Sequence, residues 1–200
     1  MQKFAYADAD RVLFTSDHHF GHAAVINLCN RPFSSFDNMD QEMIQRWNDA
    51  VRPSDTVWHL GDFAHKCRPD RVNWIFSRLN GTKHLVVGNH DKRPAMGLGW
   101  KSIHDLVELD VAGQRIVLCH YAMRTWPGAG PRAKAIHLYG HSHGKMPGNR
   151  HSLDVGVDNV GYTPLRLEHV KAEMSKLPDV TWEWGNERVE GYEKTEAKAR

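Results

Sequence analysis

Seven residues with metal-binding side chains follow five short apolar runs in the sequence. Such runs are typical of buried β-strands, and the residues after them carry carboxylate, carboxamide or imidazole groups. They are Asp17, His19, Asp62, Asn89, His120, His141 and His143. Because ligand sites in α/β proteins gather at the carboxyl ends of strands, we expect the five loops to converge on one site.

The predicted ligand set contains oxygen and imidazole nitrogen but no thiolate. It suits divalent transition metals, with Mn²⁺ as the first choice and Fe, Zn²⁺, Ni²⁺ or Co²⁺ as alternatives. Seven ligands are too many for one ion, so we expect two ions about 3.5–4 Å apart. Such a pair polarises phosphoryl oxygens and supplies a hydroxide nucleophile at neutral pH. The pattern therefore favours hydrolysis of a phosphate ester.

The local sequence around these residues strengthens the prediction only when the motifs are taken together. Asp17-His18-His19 alone is more often a surface loop, and a lone Gly-Asp pair is usually a turn. Glycine directly precedes three of the predicted ligands, at Gly61, Gly88 and Gly140. We expect these glycines to allow tight turns that aim the ligand side chains into a common cleft.

Hydrophobic periodicity predicts the elements that position the site. Strands are expected over residues 12–14, 56–60, 85–87, 106–109, 115–119, 136–139, 152–157 and 165–167, with a polar edge strand over 181–189. Helices are expected around 23–26 and over 39–51, 69–79 and 168–177, the second of them capped by Asp37-Asn38, and loops over 94–100 and 124–134. Alternating strands and helices followed by a strand-rich half predict an α/β protein with two packed sheets.

Composition sets the outer limits. The 200 residues fit one domain, which we place at 1–190, followed by a polar, frayed tail at 191–200. A formal net charge of +2 gives only weak support for nucleic acid as a partner, and we expect no membrane partner. Three cysteines without CxxC spacing and an N-terminus without an apolar signal region indicate a cytoplasmic protein. The oligomeric state stays open.

The ordered motifs resemble the signature blocks of the calcineurin-like metallophosphoesterase superfamily. The blocks are Asp17-x-His19, Gly61-Asp62, Gly88-Asn89-His90-Asp91, His120 and Gly140-His141-x-His143. The resemblance runs from about residue 12 to 143. The longer run over residues 14–22 is similar to a small, single-domain bacterial and phage branch of phosphoesterases. This resemblance implies a four-layer sandwich of two packed mixed β-sheets flanked by helices.

The resemblance also assigns roles to individual residues. One ion would be held by Asp17, His19, Asp62 and His143, and the other by Asp62, Asn89, His120 and His141, so that Asp62 bridges both. His90 would contact phosphate and protonate the leaving oxygen, with Asp91 orienting the loop behind it. The Asp-Arg-Gly block that protein Ser/Thr phosphatases carry downstream is absent here. Protein phosphatase activity is therefore not expected.

Four further residues are candidates for substrate binding: His22, Arg93, Arg124 and Arg132. His22 either touches substrate phosphate or only caps and packs a helix. The loop over 124–134 either folds over the cleft, binding phosphate or stacking Trp126 on a base, or is a solvated loop. Lys92, next to His90, adds to a locally positive cleft mouth.

The remaining histidines are expected to be structural or exposed. His59 and His137 lie inside strands, where a hydrogen-bonded buried imidazole is favoured over a metal ligand. We expect simple exposure for His18, His65, His84, His104, His151 and His169.

The sequence thus predicts a dinuclear metal-dependent phosphohydrolase. Its substrate would be a phosphodiester or phosphomonoester of a small nucleotide-like or sugar-like molecule, cleaved by in-line attack of metal-bound hydroxide. A nuclease or phosphatase that processes nucleic-acid ends is an alternative, but it would need an extended basic track. A non-catalytic interaction module on the same fold is disfavoured, because all ligand blocks and His90 are present.

Overall fold

Two five-stranded β-sheets form the centre of the protein in its computed structural model, which describes residues 1–130 and 134–180. The strands are β1 (Gln2–Tyr6), β2 (Val12–Thr15), β3 (Thr56–His59), β4 (Thr82–Val86), β5 (Ile103–His104), β6 (Leu106–Val111), β7 (Gln114–Cys119), β8 (Ile136–Tyr139), β9 (Ser152–Asp154) and β10 (Leu165–Arg166). The helices are α1 (Ala23–Leu28), α2 (Phe36–Ala50), α3 (Pro69–Phe76), α4 (Arg93–Met96) and α5 (Leu167–Ser175).

Both sheets are mixed. The first has the order β10-β2-β3-β4-β5, in which β2 to β5 are parallel and β10 is antiparallel to β2. The second has the order β1-β6-β7-β8-β9, in which only the β6–β7 hairpin is antiparallel. The predicted α/β fold of two mixed sheets flanked by helices is confirmed.

The main core lies between the two sheets. Phe14 and Trp58 of the first sheet pack in one buried cluster with Leu109 and Leu118 of the second. Helix α5 adds Val170 to this cluster. Removing this apolar area from water is the main force that holds the sheets together, and it fixes the strand ends that carry the site.

The opposite face of the first sheet is covered by helices. Val57 on this face shares a buried cluster with Trp47 of α2 and Ile75 of α3. Helix α2 begins at Phe36, because the side chain of Ser35 accepts a hydrogen bond from the Asn38 amide. The predicted cap at residues 37–38 was therefore wrong, since serine at the N-cap satisfies an otherwise free amide of the first turn.

Two further predictions need correction, and the strands β1 and β5 were not predicted. The segment over 94–100 is not all loop, because α4 begins before Pro94, which stands in the first turn where a missing amide costs nothing. Strand β1 was missed, since it is an edge strand with only every second residue facing the core. The predicted strand over 152–157 ends at Asp154. The edge strand predicted over 181–189 and the tail over 191–200 lie outside the described residues.

The outer face of the second sheet is partly covered by the chain that follows His120. Trp126 is buried there against Val117 and Ala135, and its indole N–H donates to the Ala135 carbonyl (2.9 Å). The alternative in which Trp126 stacks on a substrate base is therefore wrong, because burial of its ring in this cluster is the more favourable arrangement. In the part of the chain that the structure describes, no helix is long and apolar enough to cross a membrane.

Candidate metal centre

All seven predicted ligands come together at the carboxyl ends of β2, β3, β4, β7 and β8. Parallel pairing brings the ends of β2, β3 and β4 to one edge of the first sheet, and those of β7 and β8 to one edge of the second. Two groups form there, each with its ligand atoms within 4.8 Å of one another. The groups are Asp17, His19 and His143, and Asp62, His120 and His141.

Asp62 belongs to the second group and also faces the first. Its Oδ2 is 3.5 Å from His19 Nε2 and 3.6 Å from His120 Nε2. Its Oδ1 accepts a hydrogen bond from the backbone amide of His90 (2.8 Å), which fixes the orientation of the carboxylate. A single carboxylate oxygen thus faces an imidazole of each group, as the predicted bridging role requires.

Asn89 belongs to the second group. Its Oδ1 lies 3.0 Å from His120 Nε2 and 2.9 Å from His141 Nδ1. A carboxamide oxygen is a suitable ligand beside imidazole nitrogens for a divalent transition metal. The geometry therefore supports the predicted ligand set, and ion binding by these residues stays a prediction.

The first group contains buried polar atoms that fit a cation. Asp17 Oδ1 and both ring nitrogens of His19 have no hydrogen-bond partner among the described residues, although both side chains are almost fully buried. Burial raises the pKa of Asp17 to about 8 and strongly lowers the pKa of His19. Buried polar atoms without partners are costly, and a divalent cation would satisfy these atoms.

The backbone of the ligand loops adopts an uncommon conformation. Five of the predicted ligands have left-handed φ angles: Asp17 (59°), His19 (51°), Asp62 (58°), His141 (67°) and His143 (48°). For residues other than glycine this region costs on the order of 1–3 kcal/mol each and is concentrated at functional sites. Packing of the core beneath the loops offsets this cost in free energy. The resulting backbone conformation points the ligand side chains toward one another.

Two of the glycines that directly precede a predicted ligand cannot be replaced by a larger residue without strain or a clash, for different reasons. Gly61 has a φ of 94°, and a Cβ there would lie 2.7 Å from His120 Nδ1. Gly88 has an ordinary φ, but a Cβ there would overlap the carboxylate of Asp62. The expected turn conformation is thus found at Gly61, whereas Gly88 is needed because two ligand loops approach each other closely.

Asp91 joins the loops that carry Asp62 and Asn89. Its buried carboxylate accepts hydrogen bonds from the amides of Asp62 (2.9 Å), Phe63 (3.0 Å) and Gly88 (2.9 Å). These contacts support the predicted orienting role. They are the contacts expected of a positioning residue, and the role of Asp91 stays a prediction.

His90 lies beside the first group. Its ring centroid is 5.4 Å from that of His19 and 4.1 Å from that of His65. The ring of His65 in turn lies 4.7 Å from that of His22. His65 was expected to be simply exposed, but it is half-buried in this row of imidazoles. The three histidines come from separate loops that meet only in the folded protein. A local sequence pattern therefore does not predict that they lie side by side.

Two residues that position the predicted ligands were not predicted from the sequence. Arg31 is buried and donates to the backbone carbonyls of Asp17 and His18 (2.8 Å each). It also makes a bidentate ion pair with Asp158, with both N–O distances at 2.8 Å. Asp158 Oδ2 accepts a hydrogen bond from His143 Nδ1 (2.7 Å). Only the position of Asp158 directly after a predicted strand gave any sequence signal.

This ion pair sets the orientation of His143. Burial by itself lowers the pKa of His143, but the hydrogen bond to Asp158 and the charge of Asp17 together raise it above its usual value. With Nδ1 engaged by Asp158, Nε2 is the nitrogen left to face the first group. Such an outer carboxylate fixes the tautomer and raises the basicity of a metal-binding histidine.

We expect Asp158→Asn to weaken metal binding about 10- to 100-fold, because an amide cannot accept from both Arg31 and His143 as the carboxylate does. The affinity for Mn²⁺ would be measured by calorimetric titration of chelator-treated protein. Asp70→Asn is the matched control, because Asp70 also pairs with an arginine, Arg68, but is exposed. Equal Mn²⁺ affinity in the two variants would contradict the positioning role.

The other histidines divide between the core and the surface. His59 is fully buried, as predicted, with Nε2 3.0 Å from Nδ1 of His18. His137 is also buried and lies within hydrogen-bond distance of the Val117 carbonyl. Exposure was wrongly predicted for His18 and for His84, which stacks on Trp58 at 4.3 Å. Both find a polar partner for a ring nitrogen, so burial is tolerated.

His104 and His151 are half-buried rather than exposed, and His169 is exposed as predicted.

The substrate-binding candidates stay predictions. His22 occupies the N-cap position of α1 but makes no capping hydrogen bond with its side chain. Burial and the neighbouring His65 lower its pKa to about 4. Arg93 and Arg124 are exposed, and Arg132 lies outside the described residues.

Comparison with known proteins agrees with this site. The sequence profile of the calcineurin-like phosphoesterase superfamily domain matches residues 11–171. An uncharacterised protein of Methanocaldococcus jannaschii is 29% identical over 166 residues, which cover 79% of this chain and 88% of that protein. The Gene 66 protein of Mycobacterium phage D29 is 37% identical over 84 residues, which cover 40% of each chain.

A solved structure shows the same fold. It is a protein of unknown function from Aquifex aeolicus, with a TM-score of 0.63 and 25% sequence identity, covering 81% of this chain and 98% of that one. The profile match spans most of the chain and includes every predicted ligand. The chain therefore belongs to the calcineurin-like phosphoesterase superfamily and is a hydrolase of phosphate esters.

Proposed function

We propose that the protein is a dinuclear metal-dependent phosphohydrolase that cleaves phosphodiester or phosphomonoester bonds of a small nucleotide-like or sugar-like molecule. The position of Asp62 carries this proposal, because one carboxylate oxygen faces an imidazole of each ligand group. Two divalent ions, with Mn²⁺ as the first choice, would polarise the phosphoryl oxygens and lower the pKa of the attacking water.

The protein's own residues would orient the substrate and move the proton. His90 would protonate the leaving oxygen, since its half-buried ring lies beside the first ligand group and is carried by a loop anchored on Asp62. Asp91 would hold that loop and the loop of Asp62 in a fixed position relative to each other. In-line displacement would then place the leaving group on the His90 side of the phosphorus.

We propose a small phosphorylated molecule rather than nucleic acid as the substrate, because the net charge of +2 offers little attraction for a polyanion. We also propose a cytoplasmic location, which the three free cysteines support. Single-stranded and duplex oligonucleotides would be assayed alongside small esters. Faster cleavage of oligonucleotide ends than of any small ester would overturn the substrate proposal.

The dinuclear proposal is tested with bis-p-nitrophenyl phosphate and p-nitrophenyl phosphate. Protein stripped with a chelator and reloaded with Mn²⁺ should bind two ions per chain and regain turnover in proportion to metal content. The ratio of the two rates would distinguish a diesterase from a monoesterase. Full activity at one ion per chain, measured by atomic absorption, would contradict the two-ion site.

A further inference from the structure

A cavity of about 240 Å³ opens beside His90, outside the two ligand groups. The rings of His90 and His65 contribute to its wall. Its lining also includes the buried apolar side chains Ala64, Val72 and Ala95. The cavity therefore offers an apolar surface that begins directly at the predicted proton donor.

Two lysines border this cavity. Lys66 and Lys92 line it, and both side chains are exposed. Neither ammonium group makes an ion pair or a hydrogen bond with another described residue. Lys66 also has a left-handed φ of 51°, an uncommon conformation for a lysine. Two free ammonium groups beside an apolar surface favour a ligand with an apolar body and a negative charge.

Two carboxylates beside the cavity wall are already paired with arginines and do not neutralise these lysines. Asp40 and Asp70 are the acidic groups whose charges act on Cys67 in the cavity wall. Asp40 is paired with Arg71 at 2.7 Å, and Asp70 with Arg68 at 2.8 Å. Each of these two acids thus already has an arginine partner. Asp62, whose charge acts on His65 in the cavity wall, is a predicted metal ligand. Among the described residues, no carboxylate forms an ion pair with Lys66 or Lys92, so both ammonium groups can bind a charged ligand.

The cavity lies next to the predicted proton donor, His90, and therefore near the expected position of the leaving group. A general acid must stand within hydrogen-bond reach of the oxygen that departs. If His90 protonates that oxygen, the rest of the leaving group extends past the His90 ring. The cavity adjoins the His90 ring and is lined by His65 and the two lysines, so it can receive that part of the leaving group.

We propose that this cavity is a leaving-group pocket that selects substrates whose leaving group carries a second negative charge, such as a carboxylate or phosphate. The inference rests on the proposed function, because it takes His90 as the proton donor. Lys66 and Lys92 would bind the second charge, while the apolar lining would hold the carbon body.

The test compares 4-methylphenyl phosphate with 4-(carboxymethyl)phenyl phosphate. The two phenols leave with similar ease, but only the second carries a charge that can reach the lysines. We expect the Mn²⁺-loaded protein to show a kcat/KM about fivefold higher for the carboxymethyl ester, as two solvent-exposed ion pairs would give. In the Lys66→Gln/Lys92→Gln double variant this ratio should fall to about 1, and in the double Glu variant below 1.

Lys171→Gln is the matched control, because Lys171 is an exposed lysine on α5 and does not line the cavity. It should keep the ratio of the wild type. A wild-type ratio near 1 with good turnover of both esters would overturn the leaving-group pocket and leave the proposed function intact.

A binding measurement tests the leaving-group pocket separately from the proposed hydrolytic function. 4-(Carboxymethyl)phenylphosphonate and 4-methylphenylphosphonate, which cannot be hydrolysed, would be titrated calorimetrically into the same proteins. Tighter binding of the charged phosphonate that is lost in the double Gln variant supports the pocket even if neither ester is turned over. Lack of turnover of both esters would count against the proposed function alone. Equal binding of the two phosphonates would overturn the pocket.

Discussion

Replacing Asp62 with Asn should lower the metal content and nearly abolish activity. The substitution takes away the one negative charge that lies between His19 and His120. Loss of a metal's charge stabilisation is worth several kcal/mol, so we expect kcat/KM to fall by about 10³-fold or more. The metal content should fall below two ions per chain at the Mn²⁺ concentration that saturates the wild type.

Metal content measured by atomic absorption and turnover of bis-p-nitrophenyl phosphate would be followed in parallel. Asp49→Asn is the matched control, because Asp49 is an exposed carboxylate on α2 and removes the same charge elsewhere. Circular dichroism would check that the Asp62 variant is folded. An Asp62→Asn protein that is depleted of metal and fully active would disprove the proposed mechanism.

Replacing His90 with Ala should separate metal binding from turnover. Its side chain is not one of the predicted ligands, and only its backbone amide contacts Asp62, so the variant should keep two ions per chain. Loss of a general acid lowers the rate by about 10²- to 10⁴-fold. The loss should be larger for phenyl phosphate than for p-nitrophenyl phosphate, because nitrophenolate leaves readily without a proton.

The diagnostic quantity is therefore the ratio of the two kcat values in wild type and variant. His169→Ala serves as control, because His169 is an exposed histidine on α5, remote in sequence from the ligand loops. Equal loss for both esters would show that His90 does not act as the proton donor. Loss of metal together with activity would instead assign His90 a role in holding the ions.

The ligand blocks were predictable from the sequence because each of them is local. A buried strand such as β8 is a short apolar run, and a glycine followed by polar residues marks its end, so Gly140 and His141 could be placed by pattern alone. The parallel arrangement of strands then requires that residues after different strands meet at one edge. This general rule predicted that the ligand loops converge. The pairing of Asp17 with His143, which follow strands of different sheets, was implied by the family resemblance, and the structure places their ligand atoms within 4.8 Å of each other.

The edge strand β1 and the loop that carries Trp126 were less predictable, because neither has a clear local hydrophobic pattern. β1 lies at a sheet edge, where only one face is buried, so its apolar pattern is weak. The buried position of Trp126 depends on packing against Val117 and Ala135. A loop rich in glycine and proline gives no periodic signal for such packing.

What the sequence determined by itself is the set of chemical groups and the strand ends that carry them, because both are written in a few neighbouring residues. What only the tertiary structure decided is how these groups are oriented and what lies beside them. Arg31 and Asp158 are 127 positions apart, and their ion pair fixes His143. The pocket at His90 likewise needs Lys66 and Lys92 from separate loops. Such contacts depend on packing across the whole chain, which local patterns do not record.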